Sequence, residues 1–299
     1  MNAAPPEVAL LVAAHNCQDA LNASIRQLPV DEPLHILIVD DASAPQLLAP
    51  PCDPLHVVEM VRNKVSRTKH GALRRAAAMA AARGFAYVAR LDPGDIALPG
   101  RFRLQREFLD EHSEVAVVGS ACRRIDGDRI RQLRFPPADA QIRRLLLLRE
   151  QLCPAAVMMR AAAVIAVGNY RTCYPGAEDR DLFLRLMSRF EAANLQEPLI
   201  QKGKGRGSAG QRRRMIASVI RLQLAHLRAA WRPDGAALAD FLGDRLLPHR
   251  QPGRPKLRPR RHREADGGEV AIGAPHVPLR LAAAPSRGQQ PEAAMQGRG

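Results

Sequence analysis

Two uninterrupted apolar runs, "VALLVAA" at 8–14 and "LHILIV" at 34–39, constrain this chain more than any other feature. Each has strand length and no polar alternation, the pattern of parallel strands buried on both faces. Between them "DALNASIRQL" repeats Leu21, Ile25 and Leu28 at helical spacing, with Asn16 or Asp19 placed as N-cap. The alternation continues through "LHVVEM" at 55–60, an Ala-rich helix from about Ser66 to Arg83 that Gly84 can close, and "FAYVARL" at 85–91. This order predicts a doubly wound α/β sheet.

Pro99 suits the first turn of a helix through "RFRLQREFLDEH", which returns to a further apolar run, "VAVVGS", at 115–120. The rhythm then changes, and the sheet is expected to end near residue 120. "RRIDGDRIRQL" reads as a hairpin around an Asp-Gly turn, and 139–149 as a helix. From Ala177 to Phe190 the spacing of Leu182, Phe183, Leu186, Met187 and Phe190 predicts a helix whose first turn is acidic, with Glu178, Asp179 and Asp181.

A net charge of +15 invites a nucleic-acid reading until its location is considered. Residues 201–299 carry 20 basic and 7 acidic side chains, net +13, against net +2 for residues 1–200. The first two thirds are therefore an ordinary near-neutral domain, and the charge belongs to the last third. "QKGKGRGSAG" is a basic, Gly-rich linker. In "QRRRMIASVIRLQLAHLRAAW", at about 100° per residue, Ile216, Ile220, Leu224, Leu227 and Trp231 form one stripe. Arg214, Arg221, Arg228 and Arg232 form another beside it. Such a helix suits an interface, and anionic lipid fits it better than nucleic acid, which is disfavoured by the scarcity of aromatics. Three regions result: a domain at 1–200, a basic linker and amphipathic helix at 201–240, and a Pro/Arg/Gly-rich tail at 241–299 whose composition reads as disordered.

The five cysteines form no C-x-x-C pair, which favours free thiols in a reducing compartment. The N-terminal apolar run of seven residues is too short for a signal peptide core or a membrane span. A cytoplasmic location is expected, with the inner face of the membrane open to it.

The chain lacks G-x-G-x-x-G after its first strand, where it reads "HNCQDA", and has no Walker A sequence. It offers instead acids at strand ends. Ligands of open parallel sheets bind outside the carboxyl ends of strands, and Asp40, Asp41, Asp92 and Asp95 come directly after apolar runs. Each alone also fits a turn or helix cap, as Glu178 and Asp179 alone fit a helix's first turn.

Taken together, "VALLVAAHN" (8–16), "LHILIVDDAS" (34–43), "GALRRA" (71–76), "ARLDPGDIALPGRFRLQREFLDEHSEVAVVGS" (89–120) and "GNYRTCYPGAEDRDLFLRL" (168–186) resemble the inverting family 2 glycosyltransferases of the GT-A fold. The resemblance covers about the first 200 residues in the family's order. It implies a GT-A type, Rossmann-like open sheet, mostly parallel and flanked by helices, with a basic helix and tail after it in this chain. It also implies transfer of a sugar from a nucleotide-sugar donor, UDP-sugar favoured, to a glycan or lipid-linked acceptor in surface polysaccharide or glycolipid synthesis.

By position, the resemblance assigns Ala13, Asp41, Lys69 (or Arg67 nearby) and Asp92 to the nucleotide, with Asp41 receiving a hydrogen bond from the base. Asp92 and Asp95 would hold ribose and a divalent cation, Mn²⁺ or Mg²⁺. Asp179 would be the general base, and Glu178 either an acceptor contact or a helix-start acid. One base suffices, because direct attack inverts the anomeric centre.

The chain departs from the family pattern at Gly94, where D-x-D-D usually places the carboxylate that touches the metal, at Ala14 for Pro, and at Arg74 for Asn. After Ile200 the usual Arg-x-His is absent, leaving Lys202, Lys204 or Arg206 to face phosphate. These departures motivate the alternative of a catalytically impaired domain that binds nucleotide-sugar or serves as a scaffold.

Overall fold

A computed structural model describes residues 7–126, 129–203 and 209–230. The expected tail at 241–299, and Lys204, Arg206, Trp231 and Arg232, lie outside the described residues, as does the side chain of Leu227.

The opening runs form β1 (Val8–Ala14) and β2 (Leu34–Asp40), joined by α1 (Gln18–Arg26) and paired in parallel from Val8↔Leu34 to Ala14↔Asp40. β3 (Val57–Arg62) extends the sheet beyond β2, and β4 (Tyr87–Arg90) lies parallel to β1 on its other side, after α2 (Thr68–Ala82). The reason for the unbroken apolar runs is visible in the packing. Ala9 and Leu11 point into one core with Ala72, Leu73 and Ala76 of α2, while Val8, Leu10 and Val12 point into the other with Leu21 and Ile25 of α1. Both faces of a parallel strand are thus dry.

α1 starts differently from the expectation. Its N-cap is Cys17, with no side-chain cap. Asn16, at φ 49°, instead ties two loops: its side chain accepts from the Ala44 N–H, and its own N–H donates to the Ser43 hydroxyl. α2 ends as expected at Gly84, whose φ of 79° is left-handed.

The expected end of the sheet near residue 120 is overrun. After β5 (Ile96–Ala97) and α3 (Arg101–Glu111), which begins at Gly100 with Pro99 just ahead of it, β6 runs from Val115 to Asp126. It forms the anticipated hairpin with β7 (Arg129–Leu133). Then come α4 (Asp139–Leu146), a short 3₁₀ turn at Pro154–Ala156, β8 (Met158–Arg160), α5 (Ala161–Ala166), α6 (Glu178–Met187), β9 (Glu191–Lys202) and α7 (Ala209–Ala230). The sheet order is β3-β2-β1-β4-β8-β6-β9-β5, with β7 paired to β6. The parallel first half therefore continues into a mixed half, where β8 is antiparallel to β4 and β6, and β9 is parallel to β6.

β9 carries Pro198, which a continuous ladder would not accept. The register against β6 shifts at that point, between Ser120 and Cys122, so the proline sits in an irregularity that needs no N–H. β9 then reaches β5 in the antiparallel sense, with Ala97↔Ile200 and Ile96↔Gln201. That pairing carries Lys202 and Gly203 to the turn at 92–95.

Candidate functional site

The carboxyl ends of β1, β2 and β4 open into a cleft of about 760 Å³. Its wall includes Ala13 and His15 from the end of β1, Asp41 after β2, Lys69 from α2, and Asp92 to Asp95 after β4. Five of the residues marked in the sequence therefore meet in one cavity. Asp40 does not: it is fully buried and accepts from the Ser43 and Leu47 N–H groups and from Arg62. It holds the loop after β2, and Asp41 faces the cleft.

Asp41 is built to stay ionised. Burial would raise its pKa, but hydrogen bonds from the Arg67 N–H (2.8 Å), Asn63 Nδ2 (2.7 Å) and Ser66 Oγ (2.7 Å) outweigh burial and lower it. A carboxylate accepts about four hydrogen bonds, and the protein supplies three of them here.

Across the cleft, the turn at 92–95 is clasped by lysines. Lys69 Nζ donates to Asp92 Oδ2 at 2.6 Å, and Lys202 Nζ to Asp95 Oδ2 at 2.6 Å. The Gly203 N–H donates to Asp95 Oδ1 at 2.8 Å. Gly94 has a φ of 93° and donates its N–H to Ser24 Oγ. Gly203 lies against it so closely that a Cβ at 203 would stand 2.3 Å from the Gly94 carbonyl oxygen. Lys69 and His70 both belong to the first turn of α2, which contains no acid. Cations are disfavoured at that end of a helix by its macrodipole; here Asp92 offsets Lys69, and Glu178 and Asp179 offset His70.

A second, smaller cleft of about 380 Å³ adjoins the first at Glu150 and is lined by Asp179, Arg180, Ala177, Met215 and Val219. Asp179, in the first turn of α6, is held by Arg90 and by His70 Nε2 at 3.1 Å. Burial opposes its charge, yet Arg90 and His70 keep its carboxyl well below the usual range. Burial would likewise lower His70, but hydrogen bonds to Asp179 and Glu178 raise it above an ordinary imidazole. Glu178 is turned inward: it accepts from the Gly176 N–H at 2.6 Å and faces His70 Nδ1 at 3.2 Å. Asp181 is structural, completely buried between Arg171 and Arg185.

Sequence reasoning missed Arg90 and His70. Arg90 closes the apolar strand β4 with its side chain 1% exposed, contacting Asp92 at 3.1 Å on one side and Asp179 on the other. Its carbonyl is fixed by Arg101 Nη2 at 2.6 Å. A guanidinium at the end of a four-residue apolar strand, two residues before an acid, is the signal that would have found it.

The model of glycosyl transferase family 2 matches residues 9–168. The chain belongs to glycosyl transferase family 2. It is 28% identical over 206 residues to the putative glycosyltransferase EpsE of Bacillus subtilis, covering 65% of this chain and 72% of that one. It is 31% identical over 150 residues to the amylovoran biosynthesis glycosyltransferase AmsE of Erwinia amylovora, covering 50% of this chain and 56% of AmsE. Among solved structures, Staphylococcus aureus TarS in complex with UDP-GlcNAc superposes with a TM-score of 0.58 at 14% identity, covering 80% of this chain and 71% of that one. The mannosyltransferase PcManGT of Pyrobaculum calidifontis, in complex with GDP-Man and Mn²⁺, gives 0.54 at 15% identity, covering 80% and 70%. The fold is that of the GT-A glycosyltransferases.

GT-A enzymes commonly use a divalent cation, and the family 2 resemblance points to Asp92 and Asp95 for it. As arranged, these residues do not fit one. Both oxygens of Asp95 are taken by Lys202 and the Gly203 N–H, and both of Asp92 face Lys69 and Arg90. Gly94 adds no carboxylate, and no group of three or more metal-ligating side chains converges among the described residues.

Proposed function

We propose that this family 2 chain transfers a sugar from a nucleotide-sugar donor to an acceptor hydroxyl with inversion, in surface polysaccharide or glycolipid synthesis. The observation that carries the reading is the bridge made by Arg90 between Asp92 in the larger cleft and Asp179 in the smaller one. A donor site and a proton acceptor are thereby held in fixed relation, each with its own opening. The base of the nucleotide sits beside Ala13 and Asp41, donating to the carboxylate as its fourth hydrogen bond. A UDP-sugar is favoured because TarS binds UDP-GlcNAc in the same fold.

The diphosphate lies between Lys69 and Lys202, whose ammonium groups neutralise the charge that grows on the leaving nucleoside diphosphate. Burial would lower the Lys202 pKa, but Asp95 raises it, so it stays a cation across the physiological range. In this reading the two lysines fill the role expected of Mn²⁺ or Mg²⁺ at Asp92 and Asp95. Asp179 accepts the proton of the acceptor hydroxyl as its oxygen bonds to the anomeric carbon and the carbon–phosphate oxygen bond breaks, the electron pair leaving with the diphosphate. A single displacement inverts that carbon.

The alternative, a nucleotide-sugar binder without transfer, draws on Gly94 and on how firmly Asp179 is paired. Calorimetry with UDP, GDP and dTDP, each with Mn²⁺ and with EDTA, and then a donor-turnover assay using Asp179→Asn as control, separates the two. Binding with turnover that Asp179→Asn abolishes supports the transferase. Binding without turnover supports the alternative, and no binding by folded protein overturns both.

A further inference from the structure

α7 docks on the domain by a face other than its most apolar stripe. Leu222 and Ser218 are buried, Val219 packs on the core, and Gln223 Nε2 donates to the Leu147 carbonyl at 3.0 Å. The stripe read from the sequence faces away: Ile216, Ile220 and Leu224 are exposed by 50%, 50% and 49%. Successive members are four residues apart, so the row runs along the helix for roughly 12 Å at 1.5 Å per residue. Arg213, Arg214, Arg221 and Arg228 are exposed on the same helix, which contains no acidic residue. Among the described residues no helix is long and apolar enough to cross a membrane.

We infer that α7 docks on an anionic lipid surface, with Ile216, Ile220 and Leu224 entering the acyl boundary and the arginines reaching the headgroups. The pairing of chemistries selects this occupant. Aliphatic side chains gain nothing from a nucleic acid, which binds through phosphate contacts and aromatic stacking. A second copy of this chain would set one arginine row against another. Anionic headgroups over hydrocarbon satisfy both rows at once.

The same helix supplies Met215 and Val219 to the smaller cleft, where Asp179 lies. Met215 and Val219 lie on the domain side of α7, so docking by its outer face sets the smaller cleft about one helix diameter, roughly 10–12 Å, from the lipid surface, near a membrane-borne acceptor hydroxyl. That last step rests on the transferase reading; the docking itself does not.

The test is co-sedimentation of the full chain with vesicles of phosphatidylcholine alone or with roughly a third phosphatidylglycerol, at low and high salt, with UDP affinity measured in parallel. The expected result is binding to the anionic vesicles, weakened by salt. The triple variant Ile216→Ser/Ile220→Ser/Leu224→Ser should reduce it at least tenfold, with UDP affinity unchanged. Arg214→Gln/Arg228→Gln should reduce it several-fold and flatten the salt dependence. Undiminished binding by the triple variant would assign the affinity to the Arg-rich sequence beyond α7 and overturn the inference. So would absence of binding by the wild type, or a dimer that the triple variant converts to monomer. Vesicle binding by a chain that fails to bind any nucleotide would leave the docking standing and remove the transferase reading.

Discussion

Arg90 and Asp179 form an ion pair in which the guanidinium is 1% exposed and the carboxylate 17% exposed, and the same guanidinium reaches Asp92. One buried cation therefore sets the position and the charge state of an acid in each cleft. Replacing it leaves two partly buried anions close together. Arg90→Met should destabilise the protein by about 3–5 kcal/mol, measured by denaturant unfolding, and should abolish turnover. Arg90→Lys, which keeps charge but not the fork, should recover much of the stability and little of the turnover. Equal recovery of both would mean that charge alone matters.

Asp179→Asn should lower turnover by about 10²–10⁴-fold while leaving nucleotide affinity within about twofold, because Asp179 lines the smaller cleft rather than the larger one to which the nucleotide is assigned under the proposal. A parallel loss of nucleotide affinity would place Asp179 in the donor site instead.

Lys202→Ala removes a charge-assisted contact and should weaken UDP binding by about tenfold or more. It also frees one oxygen of Asp95. Wild-type binding should be insensitive to EDTA, whereas the variant's residual binding should rise on addition of Mn²⁺. EDTA abolishing wild-type binding would overturn the lysine reading.

His70 gives the folded protein a pH dependence of definite sign. Its folded pKa is raised above the ordinary value of 6.5 by Asp179 and Glu178 despite burial. Its contribution is thus fully present below 6.5 and lost as pH rises through the higher folded value. Asp179 is depressed, so its contribution is present above 3.8 and lost as pH falls below that. Thermal melts should show a decline on the alkaline side of 6.5 that His70→Gln removes, and an acid decline that it does not remove.

Gly203→Ala would set a methyl group 2.3 Å from the Gly94 carbonyl oxygen, where neither backbone can yield without moving the turn at 92–95. UDP affinity should fall with only modest loss of stability. Gly94→Ala meets nothing closer than 3.8 Å, and its cost is that of a left-handed φ, about 1 kcal/mol. Comparable UDP affinity in the two variants would show that the turn is free to shift.

The parallel half of the fold was legible because its strands are dry on both faces, so β1 and β2 appear as unbroken apolar runs. The "DPGD" turn was legible for a related reason, since an acid suits the end of such a run where it meets solvent. β9 was not legible: "EAANLQEPLIQK" alternates poorly, and its proline is tolerated only by an irregular register that β6 supplies. Arg90 was hidden because its partners are distant in sequence, Asp179 arriving 89 residues later. For α7 the periodicity predicted the helix but not which face the domain would take. Leu222 fills the core there, and the longer aliphatic row was left outside.

β9 is last of the strands along the chain yet sits between β6 and β5 in the sheet. On the ribosome, Ala13 emerges long before Gly203, and at ordinary synthesis rates the interval is roughly ten to forty seconds. Until β9 arrives, one edge of β6 offers unpaired N–H and C=O groups to any passing strand, and Asp95 has no Lys202. Stalled or prematurely terminated chains are thus the aggregation-prone species, and a ligand held between Lys69 and Lys202 would protect only chains whose residue 203 has left the ribosome.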